Sequence, residues 1–256
     1  MIERLGGVAA VALLLASACS RDPEPGTPEA AAEGERRMRQ MSDALAEAQT
    51  FSFATIEVLE RVRPTGEKVT SNFSRKVTVG RPDRLYLELH GSGGTELEVA
   101  AYYDGKTVSL ESDTRRVWAQ TDVPETLDEM LDDVARRFSL PLPFADVVYS
   151  SPYDAFLGTN AEGGFAGRET IDGVECAELA YADDIVEVRI WIPTSGEVLP
   201  RRLRIVYKQV PGQPMSEMTF TSWNLDAEVE DRTFTFEPPQ DYSLIAVEEF
   251  VAGAGT

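Results

Sequence analysis

Strand-like alternation of apolar and polar residues is the dominant pattern of this chain. Apolar residues occupy every second position in runs such as 85–89, 97–103 and 186–192. A period of two is typical of β-strands that bury one face. Asp-Gly pairs at 104–105 and 172–173 predict hairpin turns between such strands. Short strands joined by turns of this kind indicate an antiparallel meander, and we predict about eleven strands.

Three segments have helical spacing instead, with apolar residues three and four positions apart. They predict a helix over 35–49, a second over 124–138, and a helical stretch over 144–157 that is interrupted at Pro152. The apolar stripe of the second helix consists of Leu127, Met130, Leu131, Val134 and Phe138. A long antiparallel sheet curls, and helices on its concave side complete a core. The predicted fold is mainly β with α: a curved antiparallel half-barrel whose concave face is covered by helices.

The N-terminal segment carries an export signal. Residues 5–19 form an apolar run that is too short to span a bilayer and is typical of a secretory signal peptide. The small residues before Cys19 resemble a bacterial lipobox, a signal in which residues 1–18 are removed and the new N-terminal cysteine is acylated, for example with palmitate. The resemblance implies a lipid-anchored envelope protein, and Ser20 indicates the outer membrane, facing the periplasm. A non-lipidated signal peptide with a coincidental cysteine is the alternative.

Composition divides the rest of the chain into three parts. Pro, Glu and Gly are too frequent in residues 20–34 for a packed core, so we expect a flexible acidic linker over 19–34. Fully extended, this linker would reach roughly 50 Å and hold a domain clear of the membrane. Residues 35–247 are expected to form one β half-barrel domain, followed by a tail over 248–256.

The charge of the chain excludes some partners. The sequence has 44 acidic and 24 basic residues, which gives a net charge of −20. Such a surface repels phosphates, so nucleic acids and anionic membrane surfaces are poor partners. The acidic residues between 125 and 133 lie opposite the apolar stripe and are expected to be solvated. Arg201, Arg202 and Arg204 either pair with the acidic excess or contact an anionic headgroup at the rim of a cavity.

The sequence has few residues suited to catalysis or metal binding. It lacks a nucleotide-binding loop and a nucleophile elbow, and its single histidine, His90, has no metal-binding neighbours. We therefore predict no catalytic residue, no metal and no cofactor, and the oligomeric state stays open. Acylation of Cys19 would leave Cys176 without a partner, and its strand-like surroundings predict a buried free thiol.

Several short phrases follow one another along the chain: Tyr-Tyr-Asp-Gly-Lys-Thr at 102–107, the hairpin at 167–176, Ile-Trp-Ile at 190–192 leading to Leu-Pro-Arg-Arg at 199–202, and Phe-Thr-Phe-Glu-Pro-Pro at 234–239. Their order and spacing resemble the LolA-like superfamily. The chain is most similar to an uncharacterised branch of predicted periplasmic proteins. The resemblance implies a periplasmic half-barrel that carries lipoproteins or lipids. It places no cargo-handling residue on this sequence.

Aromatic and aliphatic residues on the predicted concave face suggest where a hydrophobic ligand would bind. The candidates for lining a cavity are Phe53, Phe73, Leu127, Met130, Leu131, Val134 and Phe220. The sequence thus predicts a lipid-anchored periplasmic carrier or sensor that binds a lipid or an acylated protein. The alternative is a non-enzymatic envelope scaffold or regulatory lipoprotein with a solid core. Sequence alone does not distinguish a cavity from a packed interior.

Overall fold

The computed structural model describes residues 22–93, 97–140, 142–158 and 161–254. The predicted signal peptide and Cys19 lie outside these residues. Within the described ranges the α-helices are α1 (Pro28–Glu47), α2 (Leu127–Phe138), α3 (Pro152–Leu157) and α4 (Val247–Ala254). The strands there are β1 (Thr50–Val62), β2 (Lys68–Gly80), β3 (Arg84–Ser92), β4 (Glu98–Tyr103), β5 (Thr107–Ser112), β6 (Val117–Asp122), β7 (Glu162–Ile171), β8 (Val174–Ala182), β9 (Val186–Pro193), β10 (Arg202–Tyr207), β11 (Met215–Asn224) and β12 (Ser243–Leu244). Two 3-10 turns span Ala145–Val147 and Asp231–Phe234.

All of these strands form one open sheet. Their order is β12-β6-β5-β4-β3-β2-β1-β11-β10-β9-β8-β7, so β1 lies near the middle and pairs with both β2 and β11. Every pair is antiparallel except β12 with β6, which is parallel. The predicted meander is confirmed. The additional strand, β12, is two residues long, which is too short to show alternation of apolar and polar residues in the sequence.

The sheet curves around a single main core. Buried side chains on strands as far apart as β5 and β8, such as Val108 and Leu179, belong to the same apolar cluster. Register shifts bend β1 between Ala54 and Thr55, and bend β7 after Phe165. The helices α1, α2 and α3 contribute to this cluster from the concave side. The predicted fold class, a half-barrel with helices over its concave face, is confirmed.

Helix α1 begins seven residues before the predicted start at residue 35, inside the segment expected to be a flexible linker. The Thr27 hydroxyl accepts a hydrogen bond from the Ala30 N–H at 3.2 Å, and Pro28 occupies the first helical turn. These residues are strong helix-start signals. The high Pro and Glu content that suggested a linker therefore belongs to the start of a helix.

Helix α1 packs on the edge strand β7 through two glycines. A Cβ at Gly34 would lie 2.5 Å from the Gly164 Cα, and a Cβ at Gly164 would lie 2.5 Å from the Ala30 carbonyl oxygen. Neither distance is possible for a real side chain. The absence of side chains at these two positions therefore sets how closely the helix lies against the strand.

The C-terminal segment, predicted as a tail over 248–256, contains a helix. Most of it forms α4, whose Val247 and Phe250 pack against Ala119 of β6. Of the phrase at 234–239, Phe234 ends a 3-10 turn and Phe236 follows it in irregular structure. None of the helices in the described residues is long and apolar enough to cross a membrane.

Candidate functional site

The concave face brings together six of the seven residues predicted to line a cavity. Phe53, Leu127, Met130, Leu131 and Phe220 are buried in the main core, and Val134 packs against it in a partly exposed position. Phe73 is also buried but lies outside this cluster, farther along β2.

Aromatic rings occupy the centre of the concave face, between β1 and β11. The Phe53 ring lies 5.7 Å from Phe220 and 5.0 Å from Trp223, and the Phe220 and Trp223 rings are stacked at 4.8 Å. Phe51 stacks on Phe53 at 6.5 Å. Rings at these separations attract one another beyond their area of burial. They form an apolar floor beneath the helices.

A helical insertion, residues 127–157, covers the concave face together with α1. It comprises α2, the 3-10 turn Ala145–Val147 and α3. Its large buried side chains are Leu127, Met130, Leu131, Phe144, Val147, Val148 and Phe156. Two of the surface cavities among the described residues, of about 170 and 440 Å³, are not lined by the insertion. The buried side chains of the insertion pack into or against the main core and occupy the concave face.

A buried ion pair lies beneath the insertion, and no sequence pattern predicted it. Arg75 on β2 donates to both carboxylate oxygens of Glu57 on β1, at 2.7 and 2.8 Å, and the Thr55 hydroxyl donates to the same carboxylate at 2.7 Å. Burial alone raises the pKa of Glu57, but the Arg75 charge and these hydrogen bonds outweigh it and hold that pKa below its usual value. The Arg75 guanidinium also lies 4.6 Å from the centre of the Phe144 ring. This cation–π contact joins the sheet to the insertion.

Arg81 forms a second connection between the insertion and the rest of the domain. Its guanidinium donates to the Tyr149 carbonyl at 3.0 Å and to the Leu45 carbonyl, near the end of α1, at 3.4 Å. Burial lowers the pKa of Arg81. The Phe51 ring lies 5.4 Å from the same guanidinium. Arg81 therefore contacts the aromatic floor, the first helix and the insertion together.

The acidic face of α2 is exposed or partly exposed, as expected, and two of its residues also bind other parts of the insertion. Asp128 accepts hydrogen bonds from the backbone N–H and hydroxyl of Ser150. Asp132 accepts from the Tyr149 hydroxyl at 2.7 Å. In the turn between α2 and α3, burial raises the pKa of Asp146 to about 7.

Arg202 and Arg204, for which the sequence left two alternatives, lie on the convex face. Arg204 pairs with Glu217 and Arg202 with Glu169 at 3.2 Å, and both guanidiniums lie over the Trp191 ring. Of the two alternatives, pairing with the acidic excess is the one that these contacts support.

Cys176 lies on the convex face in a small apolar cluster with Ile171 and Trp191. It is free and buried, as predicted. Burial raises the pKa of its thiol, which favours the unreactive protonated form. The residues that the structure describes contain no cluster of His, Cys, Asp and Glu suited to a metal ion.

Comparison with known proteins gives matches to solved structures and to one family model. An uncharacterized conserved protein from Thermus thermophilus has 8% identity and a TM-score of 0.47, with 81% of this chain and 98% of that chain covered. A LolA superfamily protein from Nitrosomonas europaea has 10% identity and a TM-score of 0.41, with 80% and 98% covered. The MucA/MucB complex of Pseudomonas aeruginosa has 15% identity and a TM-score of 0.38, with 79% and 61% covered.

No curated protein matches the sequence. The expected resemblance to a branch of predicted periplasmic proteins is confirmed. The family model described as "Predicted periplasmic protein (DUF2092)" matches residues 34–248, which is most of the chain, and the protein therefore belongs to that family.

Proposed function

We propose that this protein is a lipid-anchored periplasmic binding protein that holds an acyl chain between its concave face and the helical insertion. The observation that carries the proposal is that helices, and not strands, cover the concave face. The concave face is closed by helices, namely α1 and the insertion at residues 127–157, and not by further strands of the sheet. An insertion between two strands can move away while the sheet stays paired.

The size of the buried surface determines which ligands compete with the insertion. Its seven large buried side chains contribute roughly 10–20 kcal/mol, at about 1.5–3 kcal/mol each. A sixteen-carbon acyl chain gains roughly 12 kcal/mol on burial, at about 0.8 kcal/mol per CH₂. These energies are of the same order, so a long acyl chain is able to replace side chains of the insertion. An eight-carbon chain gains only about half as much free energy, which is too little to replace these side chains.

The polar contacts of the insertion favour opening as a unit. Asp128 and Asp132 bind Ser150 and Tyr149 within the insertion, so α2 and the following turn stay together. Outside the insertion, Phe144 and Tyr149 contact Arg75 and Arg81 of the sheet region. At the other end of the insertion, the Tyr153 N–H donates to the Ser42 hydroxyl of α1 at 3.1 Å. Opening the insertion as a unit requires the release of these contacts with the sheet region and with α1.

Titration with fluorescent fatty acids tests the proposal. Cys19→Ser protein without its signal peptide is expected to bind a sixteen-carbon probe saturably and an eight-carbon probe at least about tenfold more weakly. Binding is expected to depend little on salt, because burial of the chain dominates. Extraction of the purified domain followed by mass spectrometry would identify lipid that it has retained.

Two tryptophan substitutions test whether ligand binding depends on the concave face. Leu131→Trp adds bulk beneath the insertion and is expected to weaken binding of the sixteen-carbon probe. Ile56→Trp adds the same side chain on the convex face, where Ile56 is 57% exposed, and is expected to leave binding unchanged. Urea unfolding of both variants checks that the fold is retained.

The lipid anchor is tested separately by fractionation. Wild-type protein is expected in the membrane fraction, and Cys19→Ser is expected in the soluble periplasmic fraction. A wild-type protein that is fully soluble after export would contradict the anchor and leave the ligand proposal standing.

A scaffold or regulatory role is the second candidate, and the filled concave face favours it. Six of the seven predicted lining residues already pack within or against the core. If no fatty acid or phospholipid probe binds saturably and Leu131→Trp unfolds the domain, the interior is a solid core and this candidate is preferred.

A further inference from the structure

The chain between Cys19 and the folded domain is much shorter than the sequence suggested. Residues 24–27 form a turn in which the Thr27 N–H and hydroxyl both donate to the Glu24 carbonyl, at 3.3 and 2.6 Å. The same hydroxyl caps α1. The backbone is therefore fixed from Glu24 onward, and the flexible reach of roughly 50 Å expected for residues 20–34 does not exist.

Asp22 is held against the edge of the sheet as well. Its two carboxylate oxygens accept from the Arg168 guanidinium of β7, both at 2.6 Å. This contact, assisted by Arg37 of α1, holds the pKa of Asp22 below its usual value. Arg168 also pairs with Glu175 of β8, whose carboxylate accepts from the Thr194 hydroxyl at 3.2 Å. The chain that leads to Cys19 thus leaves the domain beside β7.

We name this region the anchor face and define it by Asp22, Arg36, Arg37, Arg168, Glu175 and Thr194. Arg36, Arg37 and Thr194 also line the cavity of about 170 Å³ between α1 and the loop after β9. The three arginines of the anchor face pair with Asp22, Glu175 and Glu33, which leaves this face without net charge in a chain whose net charge is −20. The anchor face therefore repels lipid phosphates less than the rest of the surface does.

Covalent geometry limits how far the domain stands from a membrane that holds Cys19. Asp22 follows Cys19 by three residues, which span about 10 Å when fully extended. A domain of this size has a radius of gyration of about 17 Å. A tether shorter than the radius of the domain keeps one side of the domain at the bilayer.

We propose that the folded domain lies directly on the bilayer that holds Cys19, with its anchor face against the lipid headgroups. This inference rests on the lipid anchor of the proposed function. A domain held in this position exchanges ligand only with the membrane that holds Cys19, because it cannot reach another membrane. The partner of the anchor face is thus the protein's own membrane surface.

Hydrogen exchange on vesicles tests the orientation. The chain from Cys19 onward, carrying Cys176→Ser, is coupled through the Cys19 thiol to a maleimide phospholipid in phosphatidylcholine vesicles. Coupling is expected to slow exchange by about threefold or more in β7 and in the loop 194–198, compared with uncoupled protein mixed with the same vesicles. The β5–β6 turn, 113–116, at the other side of the sheet, is expected to exchange at an unchanged rate. Equal slowing in both regions, or none, would overturn the proposal.

A longer tether provides the first control. A twenty-residue Gly-Ser linker inserted after Arg21 has a typical reach of about 25 Å and is expected to abolish the slowing while coupling stays complete. Slowing that persists in this variant would show that the tether does not position the domain.

Two arginine substitutions provide a matched pair. Arg168 and Arg189 are both 39% exposed, and each binds two acidic side chains. Arg168→Gln is expected to remove at least about half of the slowing in β7, whereas Arg189→Gln is expected to retain it. Equal behaviour of the two variants would contradict the role of the Asp22–Arg168 contact. Chemical coupling makes this experiment independent of acylation in the cell, so failure of the anchor and failure of the orientation are distinguishable.

Discussion

Replacing Glu57 with glutamine tests how strongly the buried ion pair stabilises the domain. The side chains of Glu57 and Arg75 are only 5% and 11% exposed, and the guanidinium binds both carboxylate oxygens. Glutamine keeps the shape of the side chain but leaves the Arg75 charge buried without a counterion. Loss of one partner of a buried pair costs about 3–5 kcal/mol, so we expect a decrease of this size in the free energy of unfolding.

Urea unfolding followed by tryptophan fluorescence measures this decrease. Glu187→Gln is the matched control, because Glu187 pairs with Arg189 in a position where their side chains are 35% and 39% exposed. Removal of this surface pair is expected to cost less than about 1 kcal/mol. A decrease below about 1 kcal/mol for Glu57→Gln would refute the reasoning, since the pair would then behave as an exposed one.

The pH dependence gives an independent check on the same substitution. Because the pKa of Glu57 is lowered in the folded state, its stabilising contribution is complete above the unfolded pKa of about 4.3. The contribution is lost as the pH falls through the lower folded-state pKa. The difference between wild type and Glu57→Gln should therefore be largest at neutral pH and shrink below about pH 4. A difference that is constant across this range would contradict an electrostatic origin.

A double variant separates lost charge from lost packing. Replacing Glu57 with leucine and Arg75 with methionine leaves no buried charge, and such replacements of ion pairs are often neutral or stabilising. We expect the double variant to recover most of the stability that Glu57→Gln loses. Because Phe144 lies on the Arg75 guanidinium, we also expect faster hydrogen exchange over 142–157 in Glu57→Gln.

Three further predictions concern other parts of the fold. Gly34→Ala places a Cβ 2.5 Å from the Gly164 Cα, so we expect a loss of about 1–3 kcal/mol in urea unfolding, and an unchanged midpoint would contradict the close packing. Cys176 in the Cys19→Ser protein should react slowly with thiol reagents until denaturant is added, and rapid native labelling would contradict its burial. Burial raises the pKa of Asp146 to about 7, so its ionisation opposes folding as the pH rises from about 4 to 7. The stability of Asp146→Asn relative to wild type should therefore rise from about pH 5 to pH 8, and a flat difference would contradict the raised pKa.

The alternation of apolar residues was sufficient to predict the sheet, because each strand buries one face. It was less useful at the ends of the domain. Thr27 and Pro28 are a helix cap and a first-turn residue, but they lie in a segment whose composition resembles a linker. Cap signals depend on two or three residues, and the surrounding Pro and Glu content outweighed them. β12 is held by pairing with β6 and has no pattern of its own.

The ion pair beneath the insertion illustrates what one sequence does not reveal. Arg75 is in phase with Phe73 and Val77, so its inward position was available from the alternation of β2. The partner of Arg75 could not be predicted in this way. Glu57 lies on another strand, and the register between the two strands decides which side chains meet. In that register Arg75 lies opposite Thr55 and Phe73 lies opposite Glu57. A diagonal contact of this kind requires knowledge of the paired strands.

Helix α1 connects the anchor face to the helical insertion in one rigid element. Its first turn is capped beside the segment that carries Asp22, and its twenty residues extend over about 30 Å. Near its other end, the Leu45 carbonyl accepts from Arg81, which also binds Tyr149 of the insertion. The contact of Gly34 with Gly164 prevents the helix from sliding over β7 without steric conflict. If the anchor face lies on the membrane, α1 fixes the domain there. The same helix takes part in the Arg81 contact that must be released to open the concave face. We therefore expect entry of a ligand and contact with the membrane to be coupled through α1.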